Sequence, residues 1–156
     1  MVTIEDAYIL ARKIKERSPK IHSVELFGSV AERGKGRDLD LLLIVDDELA
    51  QKFWSMADDL NPRLPLRLLF VRKIIKKLFY SLDEAFVKKL KQTRNLRVSA
   101  LIGLDLVHLG EEYRPGTAID AWIMPVKWQS RITEITNNSN MMGFLNNAAR
   151  FAVKLV

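Results

Sequence analysis

Zero cysteines among 156 residues exclude disulfides, thiolate metal sites and a cysteine nucleophile. The length suits one domain with a real core, spanning residues 1–156, and the formal charge of +6 admits phosphate-bearing or acidic partners. No apolar run reaches the length of a membrane span, and charge stands too early for a secretory signal, so a cytoplasmic protein with no membrane association is expected.

In chain order, Thr3 followed by Ile4-Glu5-Asp6 reads as an N-cap with acids in the first helical turn. The helix should run to about Arg17 with Ile4, Ala7, Tyr8, Ala11 and Ile14 as its apolar stripe, and Ser18-Pro19 ends it. Ile21–Phe27 is the first strand. Gly28-Ser29 breaks it, and a short basic turn follows with Arg33, Gly34, Lys35, Gly36 and Arg37. The chain re-enters a strand over Asp38–Val45. Side chains alternate along a strand, so Asp38 and Asp40 share one face, roughly 6.6 Å apart along the backbone. Leu39, Leu41, Leu43 and Val45 take the other face, toward a core. Two carboxylates side by side repel each other unless a cation lies between them, and oxygen donors of this kind suit Mg²⁺, which takes further ligands from water and substrate phosphates. The two histidines, His22 and His108, are isolated, and a histidine zinc site is not expected.

Asp46 or Asp47 caps a second helix to about Leu60, with Phe53, Trp54 and Ala57 toward the core, and Asn61-Pro62 stops it. Leu66–Val71 has the alternation of a strand. Ser81-Leu82-Asp83-Glu84 reads as a capping-box start for a long helix reaching Leu109, with Gly110 as its stop. Between Arg72 and Arg97 nine basic residues face two acids, a local surplus that accounts for the whole charge of the chain. Such a segment can attract a phosphate backbone, a nucleotide or an acidic protein, and it can equally be a solvated helix face. No nucleic-acid-binding module is recognisable in it.

After the loop Arg114-Pro115-Gly116 comes the strand Thr117–Met124, in which Asp120 interrupts an apolar run. A lone buried carboxylate costs several kcal/mol unless it is paired or metal-bound, the alternative being a polar position at a strand edge. Pro125 suits the first turn of a helix over about Val126–Ile135. Asn137–Asn140 is a linker, and Met141–Leu155 forms a closing helix with Phe144, Leu145, Ala148, Phe151 and Ala152 on one stripe.

A Gly28-Ser29 turn after a strand, a short spacer and then Asp38-Leu39-Asp40 inside an apolar strand resembles the signature of the DNA polymerase β-type nucleotidyltransferase superfamily, above all its small single-domain minimal nucleotidyltransferases. The likeness spans residues 21–45 and, less fully, 117–156, and does not cover the middle. It implies an α/β fold, a small mixed β-sheet with helices packed on it, here with a basic helical insert over about 72–110 and a C-terminal helix. It also implies that the Gly-Ser turn opens a helix whose amides hold a triphosphate. Asp38 and Asp40 would bind two Mg²⁺ ions. A third carboxylate on a neighbouring strand would complete one metal site and activate the acceptor hydroxyl. Asp120 matches that element, because the competing strand Leu66–Val71 carries Arg67 at the polar position. Lys35 and Arg37 are further candidates for phosphate contact, although a basic loop residue is commonly just solvated.

The function so implied is transfer of a nucleoside monophosphate from an NTP, taken as ATP, to a hydroxyl of a protein or small molecule. The catalytic and metal residues would be Asp38, Asp40 and Asp120, and the nucleotide-binding residues Gly28, Ser29, Lys35 and Arg37. One competing reading is a weakly active or inactive member that binds a partner, such as the antitoxin of a pair with a helical toxin. Another is a minimal nucleic-acid polymerase or terminal transferase using the basic segment 72–97.

Overall fold

The structure, a computed structural model, describes residues 1–55, 80–132 and 142–156. It begins with the cap expected at Thr3. The Thr3 hydroxyl accepts from the Asp6 amide and the Asp6 carboxylate accepts from the Thr3 amide, so two orphan donors of the helix start are satisfied reciprocally. Strand β1 (Val2–Thr3) leads into helix α1 (Ile4–Arg17), which ends at Ser18 as Pro19 requires. Its buried side is Asp6, Ala7, Leu10, Ala11 and Ile14, whereas Tyr8, expected in the stripe, is exposed and Leu10 is the residue that fills the core.

Strand β2 (Ile21–Phe27) passes directly into the short helix α2 (Gly28–Arg33), then β3 (Lys35–Gly36) and β4 (Asp38–Val45). The basic turn is therefore partly a strand. β3 pairs antiparallel with β1 in a two-stranded ribbon, Val2 opposite Gly36. After α3 (Asp47–Ser55), the described chain resumes in α4 (Tyr80–Ile102), followed by α5 (Leu106–Tyr113), β5 (Ala118–Pro125), a 3-10 turn (Trp128–Arg131), α6 (Met142–Phe151) and β6 (Val153–Lys154).

The main sheet has the order β5-β4-β2-β6. β2 pairs antiparallel with β4 and β6, whereas β4 and β5 run parallel. This is a mixed α/β architecture. Leu39, Leu41, Leu43 and Val45 are buried as expected, but so are Leu42 and Ile44, so both faces of β4 are buried over most of its length. Trp54 of α3 donates to the Ile123 carbonyl at 3.2 Å, and Phe53 meets Trp122 edge to face at 6.4 Å, which fixes α3 on β5.

Several boundaries differ from expectation. The long helix breaks at Gly103, whose φ of +70° lies in the left-handed region, and Asp105 caps a new helix by accepting from the His108 amide. Gly110 lies inside that second helix, and Ser81 already stands within α4. Pro125 closes β5 instead of opening a helix; its carbonyl side leads into a turn through Lys127 and the 3-10 segment. The closing helix stops at Phe151 because the chain turns to add β6 to the free edge of β2. Ala57, the end of the second helix, the strand Leu66–Val71, the first part of the basic segment and the linker Asn137–Asn140 lie outside the described residues. Among the described residues no helix is long and apolar enough to cross a membrane.

Candidate active site

The site is built at the point where β2 ends, β4 begins and β5 runs beside it. In the parallel β4–β5 register, Asp38 stands opposite Ala118, Asp40 opposite Asp120 and Leu42 opposite Trp122. Register partners on neighbouring strands point to the same face, so Asp38, Asp40 and Asp120 share one side of the sheet. On β2, Phe27 is the register partner of Asp40, and Gly28 therefore follows directly beside that carboxylate. Gly28 has a φ of +72°, and a Cβ there would lie 2.1 Å from Oδ2 of Asp40. Both facts require glycine: one for the turn out of β2, the other for the approach of the Asp40 side chain. The Ser29 hydroxyl packs over Gly36, where a Cβ would lie 2.2 Å from Oγ. Gly28, Ser29, Asp38, Asp40 and Asp120, separated by up to 92 positions in the chain, are thus brought together by strand pairing. Lys35 and Arg37 are exposed on and beside the β1–β3 ribbon, and no described contact joins either to the carboxylates.

Two cations from α4 complete the cluster. Arg94 and Asp120 form a buried ion pair, with an Nη of Arg94 donating to Oδ1 of Asp120. The guanidinium also stacks over the Trp122 ring at 3.9 Å. Lys91 lies between carboxylates, its Nζ 3.8 Å from Oδ2 of Asp38 and 3.9 Å from Oδ2 of Asp120. The next residue after Arg94 fixes the helix to the strand: Asn95 donates from Nδ2 to the Ile119 carbonyl at 2.9 Å and accepts from the Ala121 amide at 3.0 Å. A side-chain amide thereby pairs the outer edge of β5 on both sides of Asp120, as a further strand would.

Lys91, Arg94, Asn95, Val98 and Ile102 recur at helical spacing and form the inner stripe of α4, charged at the site and apolar at its far end. Read as sequence, Lys91 and Arg94 were two of nine surface charges. The signal that identifies Arg94 is reciprocal, since a carboxylate inside an apolar strand needs a cation partner. The basic surplus of the segment is correspondingly less a surface property than its composition suggests, because Arg94 is internal and Lys91 faces the acids.

The cluster is acidic in spite of these cations. Burial pushes the Asp40 carboxyl up to about 7, the neighbouring Asp120 carboxylate and then Asp38 act in the same direction, and Lys91 and Arg94 offset only part of the rise. A further positive charge beside Asp40 would relieve this. As hard oxygen donors on one face, Asp38 and Asp40 have the chemistry of a Mg²⁺ site that leaves positions for water and phosphate oxygens. Asp120 is different, because one of its oxygens is committed to Arg94. Among the described residues no three His, Cys, Asp or Glu side chains are grouped closely enough to hold a metal ion by themselves. Asp38 and Asp40 are the two residues that would hold a cation here, with Asp120 beside them and tied to α4 through Arg94.

His22 and His108 stand away from this site. His22 pairs with the exposed Asp46 at 2.6 Å, and His108 lies 4.0 Å from Glu112 on the surface of α5. Comparison of the chain with protein-family models, with curated proteins and with solved structures returns no match.

Proposed function

We propose that this chain is a nucleotidyltransferase of the DNA polymerase β type that transfers a nucleoside monophosphate from an NTP to a hydroxyl acceptor. The observation that carries the reading is the convergence of Gly28, Asp38, Asp40 and Asp120 on one face of the sheet, with Gly28 in contact distance of Asp40 and Asp120 in register beside it. A β4–β5 pairing slipped by one residue would turn Asp120 to the opposite face.

In this reading Asp38 and Asp40 would hold Mg²⁺, which would supply charge to neutralise the triphosphate and the leaving oxygen. Gly28 and Ser29 would contact the phosphates through the turn that follows β2, while the absence of a side chain at Gly28 lets Asp40 stand against that turn. Asp120, held in orientation by Arg94 and by the Asn95 clamp on its strand, takes the acceptor proton on Oδ2, the oxygen not engaged by Arg94. The hydroxyl oxygen bonds to the α-phosphorus, the bond from that phosphorus to the bridging oxygen of the β-phosphate breaks, and pyrophosphate leaves. A second Mg²⁺, for which the resemblance implies Asp120 as a ligand, could be accommodated only after Lys91 moves away from Asp38 and Asp120.

The test is transfer itself. The protein is incubated with Mg²⁺ and each of four α-³²P-labelled NTPs, alone and with an extract depleted of small molecules. Label transferred with stoichiometric pyrophosphate release, and lost in Asp40→Asn, is expected. Label transfer that survives in Asp40→Asn would overturn the assignment.

A second reading, a partner-binding member whose site is idle, draws support from one observation: Lys91 and Arg94 already place positive charge against the acids. It predicts no Mg²⁺-dependent NTP binding at all.

A further inference from the structure

The two cations of the cluster are held in opposite ways. Arg94 is buried, stacked on Trp122 and bonded to Asp120, and it cannot leave without unpacking α4 from β5. Lys91 is one turn earlier on the same stripe, yet its side chain is 43 % exposed and approaches Asp38 and Asp120 only at 3.8 and 3.9 Å, beyond hydrogen-bond distance. An ammonium on a flexible stem at such a position contributes charge without being fixed in place. Its ammonium therefore lies beside Asp38, one of the two carboxylates that would hold a cation, and beside Asp120.

We propose that Lys91 is a tethered counter-cation of the carboxylate cluster, which exchanges with a divalent metal ion and so sets the affinity of the site for it. The proposal rests on the nucleotidyltransferase reading of the same residues and adds its regulation. Because Lys91 and a metal ion would share the charge of Asp38, metal binding weakens the docking of Lys91, and the docking of Lys91 opposes metal binding by the same free energy.

The probe is Mn²⁺, titrated into the full chain at low ionic strength and followed by electron paramagnetic resonance of the free ion. Three proteins are compared: wild type, Lys91→Met, and Lys88→Met, which removes an exposed charge from the same helix one turn away. The Lys88 variant reports the general loss of positive potential, which is screened over such distances. Lys91→Met is expected to bind Mn²⁺ about tenfold more tightly than wild type, and Lys88→Met less than about twofold more tightly. Equal affinities for the two variants would overturn the tethered-cation proposal and leave the nucleotidyltransferase reading standing. Failure of all three proteins to bind Mn²⁺ would overturn that reading and the proposal together. The Lys91 side chain is 43 % exposed, so Lys91→Met is expected to fold, and circular dichroism of the three proteins verifies this before titration.

Discussion

Asp40 and Asp120 are register partners on parallel strands, two acids held side by side on one face of a sheet whose neighbouring positions are apolar. Nothing in folding alone favours that arrangement. It is held together by Arg94 from one side and Lys91 from another, and it leaves Asp40 with a carboxyl that burial and its acidic neighbours push up to about 7. In the metal-free protein Asp40 is therefore a source of instability at neutral pH. Asp40→Asn keeps the shape and removes the charge, and it should raise stability at pH 7.5 on the order of 1–2 kcal/mol after allowance for solvent screening. The sign follows from proton linkage: an acid protonated in the folded chain and ionised in the unfolded one makes stability fall as pH rises from about 4 to about 7. Urea denaturation of wild type and Asp40→Asn at several pH values reads both effects, and a variant less stable than wild type at pH 7.5 would contradict this electrostatic picture.

Gly28→Ala tests the contact between the turn and the acid. The new methyl group would meet Asp40 at 2.1 Å and the backbone would be held at a φ of +72°, which an L side chain rarely adopts. A destabilisation of about 1–3 kcal/mol is expected from the backbone alone. Binding of Mn²⁺ should be lost even where the protein stays folded, because Asp40 is displaced. Thermal denaturation and metal titration of the same preparation separate the two effects.

The Asn95 clamp predicts a structural variant. Asn95→Leu leaves the Ile119 carbonyl and the Ala121 amide at the edge of β5 without their partner, and each such buried group costs about 1–3 kcal/mol. The loss should be largest in hydrogen exchange of β5, where protection of the Ala121 amide falls first. Unchanged protection there would mean that another group covers the edge.

What the residues made legible and what they hid follows from period and length. β2, β4 and α1 are long enough to show their alternation or helical stripe, and Asp120 stands out because the strand around it is apolar. The mixed α/β class follows from those elements. The inner stripe of α4 does not stand out, because a hydrophobic-period reading assigns Lys91, Arg94 and Asn95 to solvent. Their burial is intelligible only once Asp120 and the unpaired edge of β5 are placed opposite them. β1, β3 and β6 are two residues each, too short to carry any period; β6 adds to the open edge of β2, and β1 and β3 satisfy each other in a separate ribbon. The break at Gly103 was masked by continuous helix formers on both sides.

Away from the site, Asp6 ties the start of α1 to the end of α5. It accepts from the Tyr113 hydroxyl at 2.5 Å, from Arg114 at 2.8 Å and from the Thr3 amide at 2.8 Å. Burial by itself would raise the Asp6 carboxyl, but these hydrogen bonds outweigh it and hold the group at about 2, below its ordinary value of 3.8. An acid depressed in the folded state contributes stability that is complete above its unfolded value and disappears as pH falls through the folded one. Stability should therefore drop on the order of 2 kcal/mol between about pH 4 and pH 2. Asp6→Asn should remove that part of the acid dependence, and denaturant titrations over this range measure it.

Binding of a metal-nucleotide complex by the carboxylate face is measured most directly by calorimetric titration of Mg·ATP, Mg·GTP, Mg·CTP and Mg·UTP into wild type and into the double variant Asp38→Asn, Asp40→Asn. Binding of at least one NTP that requires Mg²⁺ and is abolished in a folded double variant is the predicted result. Equal binding by both proteins, or none of any NTP by wild type, would contradict it.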